Sequence, residues 1–376
     1  MLTSNNNRSF GSILNWLLRW CLVLCLPLSI FALFVQLSGA NPLITYQTMW
    51  RSAFGSPTAW SEVLIRMLPF VLTALATALP AKVRLINVGG EGQLVIGALC
   101  STVVALQCPP EWPSLLLIPT VLLAGAAGGA CWAAIAAGLR VRLQVNETIA
   151  TLLLNYIAVL VVRYCVHGFL KDPASFNWPF SPPLPDAARL ATWANTRLHW
   201  GIVFAPLLAG SAWYLVQHTA WGLHLKVVGG NPQAANRAGY PVASLQFWAF
   251  VLGGALAGLA GALEVAGVEG RLRPSTGIGF GYVGFLAAWM ANQNLLGVLL
   301  SSFLLATIAV SGDSLQMIAN LPASAVNVLM ALMLLAVLAK ISVPSWLTQR
   351  LLFQKPPKNV QLAISQPATA NILEPE

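Results

Sequence analysis

The residues best placed to do chemistry in this chain are amides and a carboxylate set among glycines. Asn87, Glu91 and Gln93 lie in INVGGEGQ, Ile86 to Gln93, between two apolar runs. Asn146-Glu147 opens a later run, and Thr148, Thr151 and Asn155 follow it at helical spacing, on one face. A carboxylate near a membrane interior is costly and usually functional, and an amide at that depth needs a partner. The chemistry these groups offer is hydrogen bonding to a polar solute or to nearby backbone. Glu91 either lines a pathway or caps the half-helix that starts near Gly92, since an acidic side chain is favourable at a helix N-terminus. Asn155 faces either a solute hydroxyl or base edge, or a neighbouring helix. Phe280 can stack on a planar ring or pack in the core. Trp289 and Asn292 close a short apolar segment and are weaker pathway candidates.

Hydrolytic chemistry is not visible. GxxxxGK[ST], GxSxG, HExxH and paired-carboxylate patterns are all missing from the sequence. The six cysteines have no zinc-like spacing and read as small packing residues. The four histidines, His167, His199, His218 and His224, fall at span ends and read as interfacial. Glu264 and Glu269 sit close to Arg271 and Arg273 and suggest a local ion-pair cluster.

The elements that must hold these residues are apolar helices. Of 376 residues, 57% are hydrophobic and 8% charged, too little charge for a soluble surface. The net charge of +9 follows from Lys and Arg flanking membrane segments and implies no nucleic acid. The predicted fold is all-α and polytopic, with about ten segments: 15–38, 62–80, 88–107, 113–138, 147–166, 199–219, 245–267, 280–292, 295–312 and 322–343. The apolar run from Trp20 to Leu37 exceeds the roughly 7–15 residues of a signal-peptide core, so it reads as a retained span. Residues 1–353 form the membrane domain and 354–376 a polar, disordered tail. With both termini inside, 12 Lys and Arg residues fall on the inner side and 8 on the outer. The proline-rich stretch 167–198 then lies outside, either as a cap that touches a partner or as a connector.

The eighth segment is too short to cross alone, and Gly277-Ile-Gly-Phe-Gly281 before it resembles the cluster at Gly89, 188 residues earlier. In this topology the two clusters follow spans of opposite direction. Matching glycine breaks in two inverted halves point to a transport site, because irregular backbone inside a membrane must be buried in protein or line a cavity. Gly125-xxx-Gly129 and Gly254-xxx-Gly258 are signals for close helix packing.

Gly222 to Gly239 is the one polar, basic interruption between two long apolar runs on the inner side. Asn231 is a plausible helix N-cap and Pro232 suits the first helical position. Gly229, Gly230 and Gly239 permit turns, Ala234, Ala235 and Ala238 keep a small face, and Arg237 can reach an acidic partner. The segment Leu225 to Arg237 therefore reads as a short helix for docking a soluble partner, with a bare connector as the alternative.

These motifs resemble the permease subunits of bacterial ABC importers for nucleosides and simple sugars, the branched-chain amino acid and ribose-type permease superfamily. INVGGEGQ is similar to the FNIGAEGQ wording of the nucleoside branch. VNETIATLLLNYIA, Val145 to Ala158, is similar to VNExIxTxxLNYIA, and GLHLKVVGGNPQAANRAGY to GxxxxAVGxNPxAAxxAGI. The likeness covers about 60–350, and the eighth segment departs from the branch in reading Phe285-Leu-Ala-Ala-Trp289-Met-Ala-Asn292. The resemblance implies an inner-membrane permease that moves nucleosides by alternating access. It binds no cofactor itself, and a separate ATPase subunit hydrolyses ATP with Mg. That ATPase would dock at Gly229, Asn231, Pro232, Ala235, Arg237 and Gly239. An extracytoplasmic binding protein and a second, different permease chain complete the machine. A pentose or hexose importer of the same type, or an ion-coupled secondary transporter, is the competing reading.

Overall fold

Glycine decides how this chain packs, because the central helices touch backbone to backbone. A computed structural model describes residues 23, 25–109, 111–176, 178–193, 196–318, 321–322 and 324–339. The tail at 354–376 and the first part of segment 15–38 lie outside the described residues. In chain order the helices are α1 (Cys25–Leu37), then α2 (Pro42–Phe54), α3 (Pro57–Ala81), α4 (Gly90–Gln107), α5 (Ser114–Leu143), α6 (Glu147–His167) and α7 (Phe204–His218). They continue with α8 (Ala220–Gly230), α9 (Pro232–Arg237), α10 (Val242–Glu264), α11 (Phe280–Met290), α12 (Gly297–Ile318) and α13 (Ala325–Leu338). Among the described residues there is no strand, only an isolated bridge between Thr192 and His199.

Six helical stretches are long and apolar enough to cross a membrane, or seven if α1 and α2 form one span bent by 116°. Ten full crossings are therefore not established. Each expected segment that is described does contain helix, but α4 carries Glu91 and Gln93 in its first turn, and α11 and α13 have only 11 and 14 residues. The sequence reading also missed α2. Its start is marked by Asn41, whose side chain accepts from the Leu43 and Ile44 N–H groups, with Pro42 at the first position.

α10 packs on α5, α4 and α3 at the centre. A Cβ on Gly97 would lie 2.4 Å from Gly258 Cα, one on Gly129 2.3 Å from Gly254 O, and one on Gly258 2.2 Å from Gly125 O. Small residues thus fix the α4–α5–α10 contact, as they must where lipid supplies no hydrophobic drive between helices. The second half repeats the scheme. α11 packs on α3 as α4 packs on α10, and α12 packs on α11 and α3 as α5 packs on α4 and α10.

The segment 167–198 is stitched to the chain after α10. Ser181 N–H donates to Leu272 O, Leu184 N–H to Gly270 O and Leu190 N–H to Ala266 O, so it covers the π-helical turn Val265–Glu269. The ring Nδ1 of His199 accepts from Gly201 N–H at 3.2 Å, so the side chain caps the helical turn that begins at Trp200. His199 is buried within its own chain, just before the apolar helical stretch Trp200–His218.

Gly258→Val should cost more than about 3 kcal/mol by overpacking, read as loss of a monodisperse folded protein on size exclusion. Gly138→Val, at a glycine with nothing within 4 Å of an added Cβ, should leave that profile unchanged. For topology, Ser181 is buried and unsuitable as a label site, whereas Phe176 is 95% exposed. In a background without native cysteines, Phe176→Cys should label from outside and Ser365→Cys only after the membrane is permeabilised.

Candidate functional site

Two helices start at the same place inside the protein. α4 begins at Gly90 and α11 at Phe280, and a Cβ on Gly281 would lie 2.1 Å from Glu91 N. The chain enters α11 through Gly277 and Gly279, at φ +68° and +92°, a left-handed backbone that glycine adopts without strain. The first N–H groups of a helix have no partner within it. The Glu91 carboxylate supplies one for α11: Gly279 N–H donates to Oε1 at 2.5 Å and Gly281 N–H to Oε2 at 2.8 Å. Glu91 thus caps a half-helix, and the capped helix is the one in the opposite half of the chain.

α4 receives its own support from α6. Asn155 Oδ1 accepts from Gly92 N–H at 2.9 Å, and Nδ2 donates to Val88 O at 2.9 Å. Asn87 and Gln93 pair amide to amide, with Nδ2 of Asn87 donating to Gln93 Oε1 at 3.0 Å and Gln93 Nε2 donating to Asn87 Oδ1 at 3.1 Å. The same Asn87 group also donates to Ala76 O at 3.0 Å. Thr151 lies against Gly89, and its hydroxyl donates to Glu147 O at 2.8 Å within its own helix. The sequence reading missed Thr73 and Thr77 on α3. The Thr73 hydroxyl donates to Pro69 O and, at 3.3 Å, to Phe280 O, and that of Thr77 donates to Asn87 O at 3.2 Å. Their signal is two hydroxyls one helical turn apart within an apolar span.

Two adjoining cavities open beside this junction, sharing Arg66, Ile278 and Phe280. One, of about 470 Å³, is mainly apolar and aromatic, with Phe70, Phe280, Tyr282, Val283, Leu286 and Met330 in its wall. The other, of about 330 Å³, is charged, lined by Glu62, Arg66, Arg197, Glu264, Glu269 and Arg273. The Arg66 guanidinium lies 5.1 Å from the Phe280 ring centre and the Phe70 ring meets Phe280 edge-on at 5.6 Å. Of the residues singled out from sequence, Phe280 lines both cavities. Asn87, Glu91, Gln93, Thr151 and Asn155 gather behind them and line neither, and Tyr282 is the link, its hydroxyl 3.5 Å from Asn155 Nδ2. Trp289 stands apart from both cavities, 5.9 Å from the Phe285 ring, with its buried Nε1 unpartnered.

α8 and α9 form a corner elsewhere on the surface. Asn231 caps α9, accepting from Gln233 and Ala234 N–H at 3.0 and 3.1 Å, with Pro232 at the first position. Gly239 takes φ +85° after the helix. Arg237 is exposed, but Ala235 is 2% exposed and packs into its own chain, so it offers a partner no surface. Arg84, which the sequence reading did not single out, holds the corner: its guanidinium donates to Gly229 O at 2.7 Å and Gly230 O at 2.6 Å. Gly229 abuts Lys82 O, and Lys82 Nζ donates to Gln293 O at 2.8 Å, on the turn between α11 and α12. Burial pulls the Lys82 ammonium below its usual range, with Lys226 adding to the shift.

Residues 59–338 match the family described as branched-chain amino acid transport system / permease component. The chain belongs to this family. It is 33% identical to a glucose ABC transporter permease protein of Haloferax volcanii over 78% of this chain and 80% of that one. It is 29% identical to a guanosine ABC transporter permease protein of Bacillus subtilis over 86% of this chain and 93% of the relative. A nucleoside ABC transporter permease protein of Lactococcus lactis is 31% identical over 71% and 75%. No solved structure matches. Family membership together with the apolar helices makes this a multi-pass membrane protein.

Glu91→Ala should strip two buried N–H groups of their acceptor and cost about 3 kcal/mol. The expected outcome is a lower Tm in detergent and lost transport, with Glu91→Gln retaining part of both because its amide oxygen still accepts. An unchanged Tm in Glu91→Ala would show that this bridge does not hold the junction.

Proposed function

We propose that this chain is the transmembrane permease subunit of an ABC importer and that it carries nucleosides. The family match supports the permease role, and the guanosine and nucleoside permeases among its relatives favour that substrate class. The observation that carries the substrate reading is the cavity walled by Phe70, Phe280 and Tyr282 beside a charged one. A nucleobase offers a flat, polarisable face for aromatic side chains, and its sugar offers hydroxyls for charged ones. A hexose can lay its C–H face on an aromatic wall, but it has no planar ring with polar edges, so the relatives that carry guanosine and nucleosides weigh in favour of a nucleoside.

The work falls to differential contacts. A permease with two states moves solute when ATP binding and hydrolysis in a partner bias those states. In this reading the α8–α9 corner docks the ATPase through Gln233, Asn236 and Arg237, the exposed polar residues of α9. Asn231, Pro232, Gly229 and Gly239 shape the corner, and Ala235 anchors it. ATP and Mg belong to the ATPase. A binding protein delivers nucleoside from outside the bacterial inner membrane, a second permease chain faces this one across the pathway, and both termini are cytoplasmic. An ion-coupled transporter has no need for such a corner.

The test is uptake by proteoliposomes holding the full complex with its binding protein. ATP-dependent accumulation of radiolabelled nucleoside, unaffected by excess glucose, is the expected result. Arg237→Glu should cut uptake and nucleoside-stimulated ATP hydrolysis at least tenfold while the two permease chains still co-purify. Accumulation of glucose alone would refute the substrate, and uptake without ATP would refute the ABC class.

A further inference from the structure

The charged cavity contains six ionisable side chains, and four of them are engaged. Arg197 pairs with Glu62 at 3.1 Å. Glu269 accepts from the Thr276 hydroxyl and lies 4.0 Å from Arg273. Glu264 and Arg66 remain. Glu264 ends α10 and is 8% exposed, yet among the described residues its carboxylate has no hydrogen-bond or ion-pair partner, and it faces the cavity. Its charged neighbours, Glu269, Arg66, Arg197 and Glu62, act on it only through space. Arg66 likewise makes no hydrogen bond or ion pair among the described residues, and its guanidinium rests over Phe280.

The Glu264 carboxylate and the Arg66 guanidinium face the same cavity, each without a partner from the protein among the described residues, so both are open to bond whatever enters it. Nearby groups of both kinds are paired, so the chain has the means to satisfy these two and leaves them open. A ligand that completes them must donate to Glu264 and accept from Arg66. Hydroxyls do both. The two charges are opposite and the other four cancel in pairs, so the ligand is neutral. A phosphate would meet Glu62, Glu264 and Glu269. Carboxylates bind ribose hydroxyls in this manner elsewhere in proteins. Phe280 forms a wall of both cavities, so a ring in the aromatic one and a sugar in the charged one would be neighbours within one molecule.

Resting on the nucleoside reading above, we propose that Glu264 and Arg66 form the subsite for the ribosyl hydroxyls of the transported nucleoside and set the permease's preference for ribosides over deoxyribosides. The experiment measures maximal uptake rates of guanosine and 2′-deoxyguanosine in proteoliposomes with the binding protein saturating. The wild-type complex is compared with Glu264→Gln and Arg66→Gln. The binding protein is the same throughout, so a change in the rate ratio reports the permease. The wild type should favour the riboside, and Glu264→Gln should lower the ratio about tenfold, the loss of one charge-assisted hydrogen bond. Arg66→Gln should lower it in the same direction, and it serves as the test should Glu264→Gln fail to assemble. Parallel loss of both rates at a constant ratio, or an unchanged ratio in both variants, overturns the proposal. A wild-type complex that moves neither compound refutes the nucleoside reading and the subsite with it.

Discussion

Two helix N-termini meet head to head inside this protein, and Glu91 makes the meeting possible. Each end carries the partial positive charge of its unsatisfied amides, so two such ends in a medium of low dielectric repel. A single carboxylate between them reverses the sign of the interaction. It begins on the first turn of α4 and is bonded to the first turn of α11, so both dipoles are favourable to it at once. The need for close approach then explains the local composition. Gly281 can carry no side chain beside Glu91, and Gly284 none beside Thr73. The remaining amides at the junction bond to backbone and to each other, which ties the loop before α4 to α3, α4 and α6.

This junction makes sense only if the helices around it are rigid. α4, α5 and α10 mesh so closely that their glycines touch backbone, and α3 takes the corresponding place against α11 and α12. The aromatic cavity lies between α3, α11 and α13, whereas the charged one takes Glu264 from α10, so the mesh itself forms part of its wall.

Much of this was legible in the sequence because membrane proteins write their exceptions plainly. Glycine pairs 188 residues apart, a lone Glu and an Asn at mid-span all violate the apolar rule, and each marks the junction. What such violations do not reveal is the partner. The sequence allows Glu91 to line a pathway or to cap its own helix, and it caps the opposite one, since a contact between residues 91 and 279 is set by tertiary packing alone. Ala235 looked like a docking surface because small residues suit both contact with a partner and burial. The prolines around Ser181 mark a break in helix but give no sign that its hydroxyl and amide are bonded to Leu272. Glu264 looked like part of an ion-pair cluster, and only the geometry separates it from its paired neighbours. Ten crossings were counted from apolar runs, and hydropathy does not report helix length or the bend between α1 and α2.

The short connection from α3 to α4 carries two cationic side chains with quite different grips. Arg84 holds the last carbonyls of α8, and Lys82 holds a carbonyl on the turn that joins α11 to α12. One segment of eight residues, 82–89, is thereby fastened to a surface corner, to the turn that ends the second half-helix and, through Asn87 and Gln93, to the first. It acts as a yoke. A push on the corner cannot be absorbed by a slack loop, because the bonds at Gly229 and Gly230 pass it to the connection. The same connection is bonded to both sides of the junction, so the corner and the two half-helices share one short length of chain.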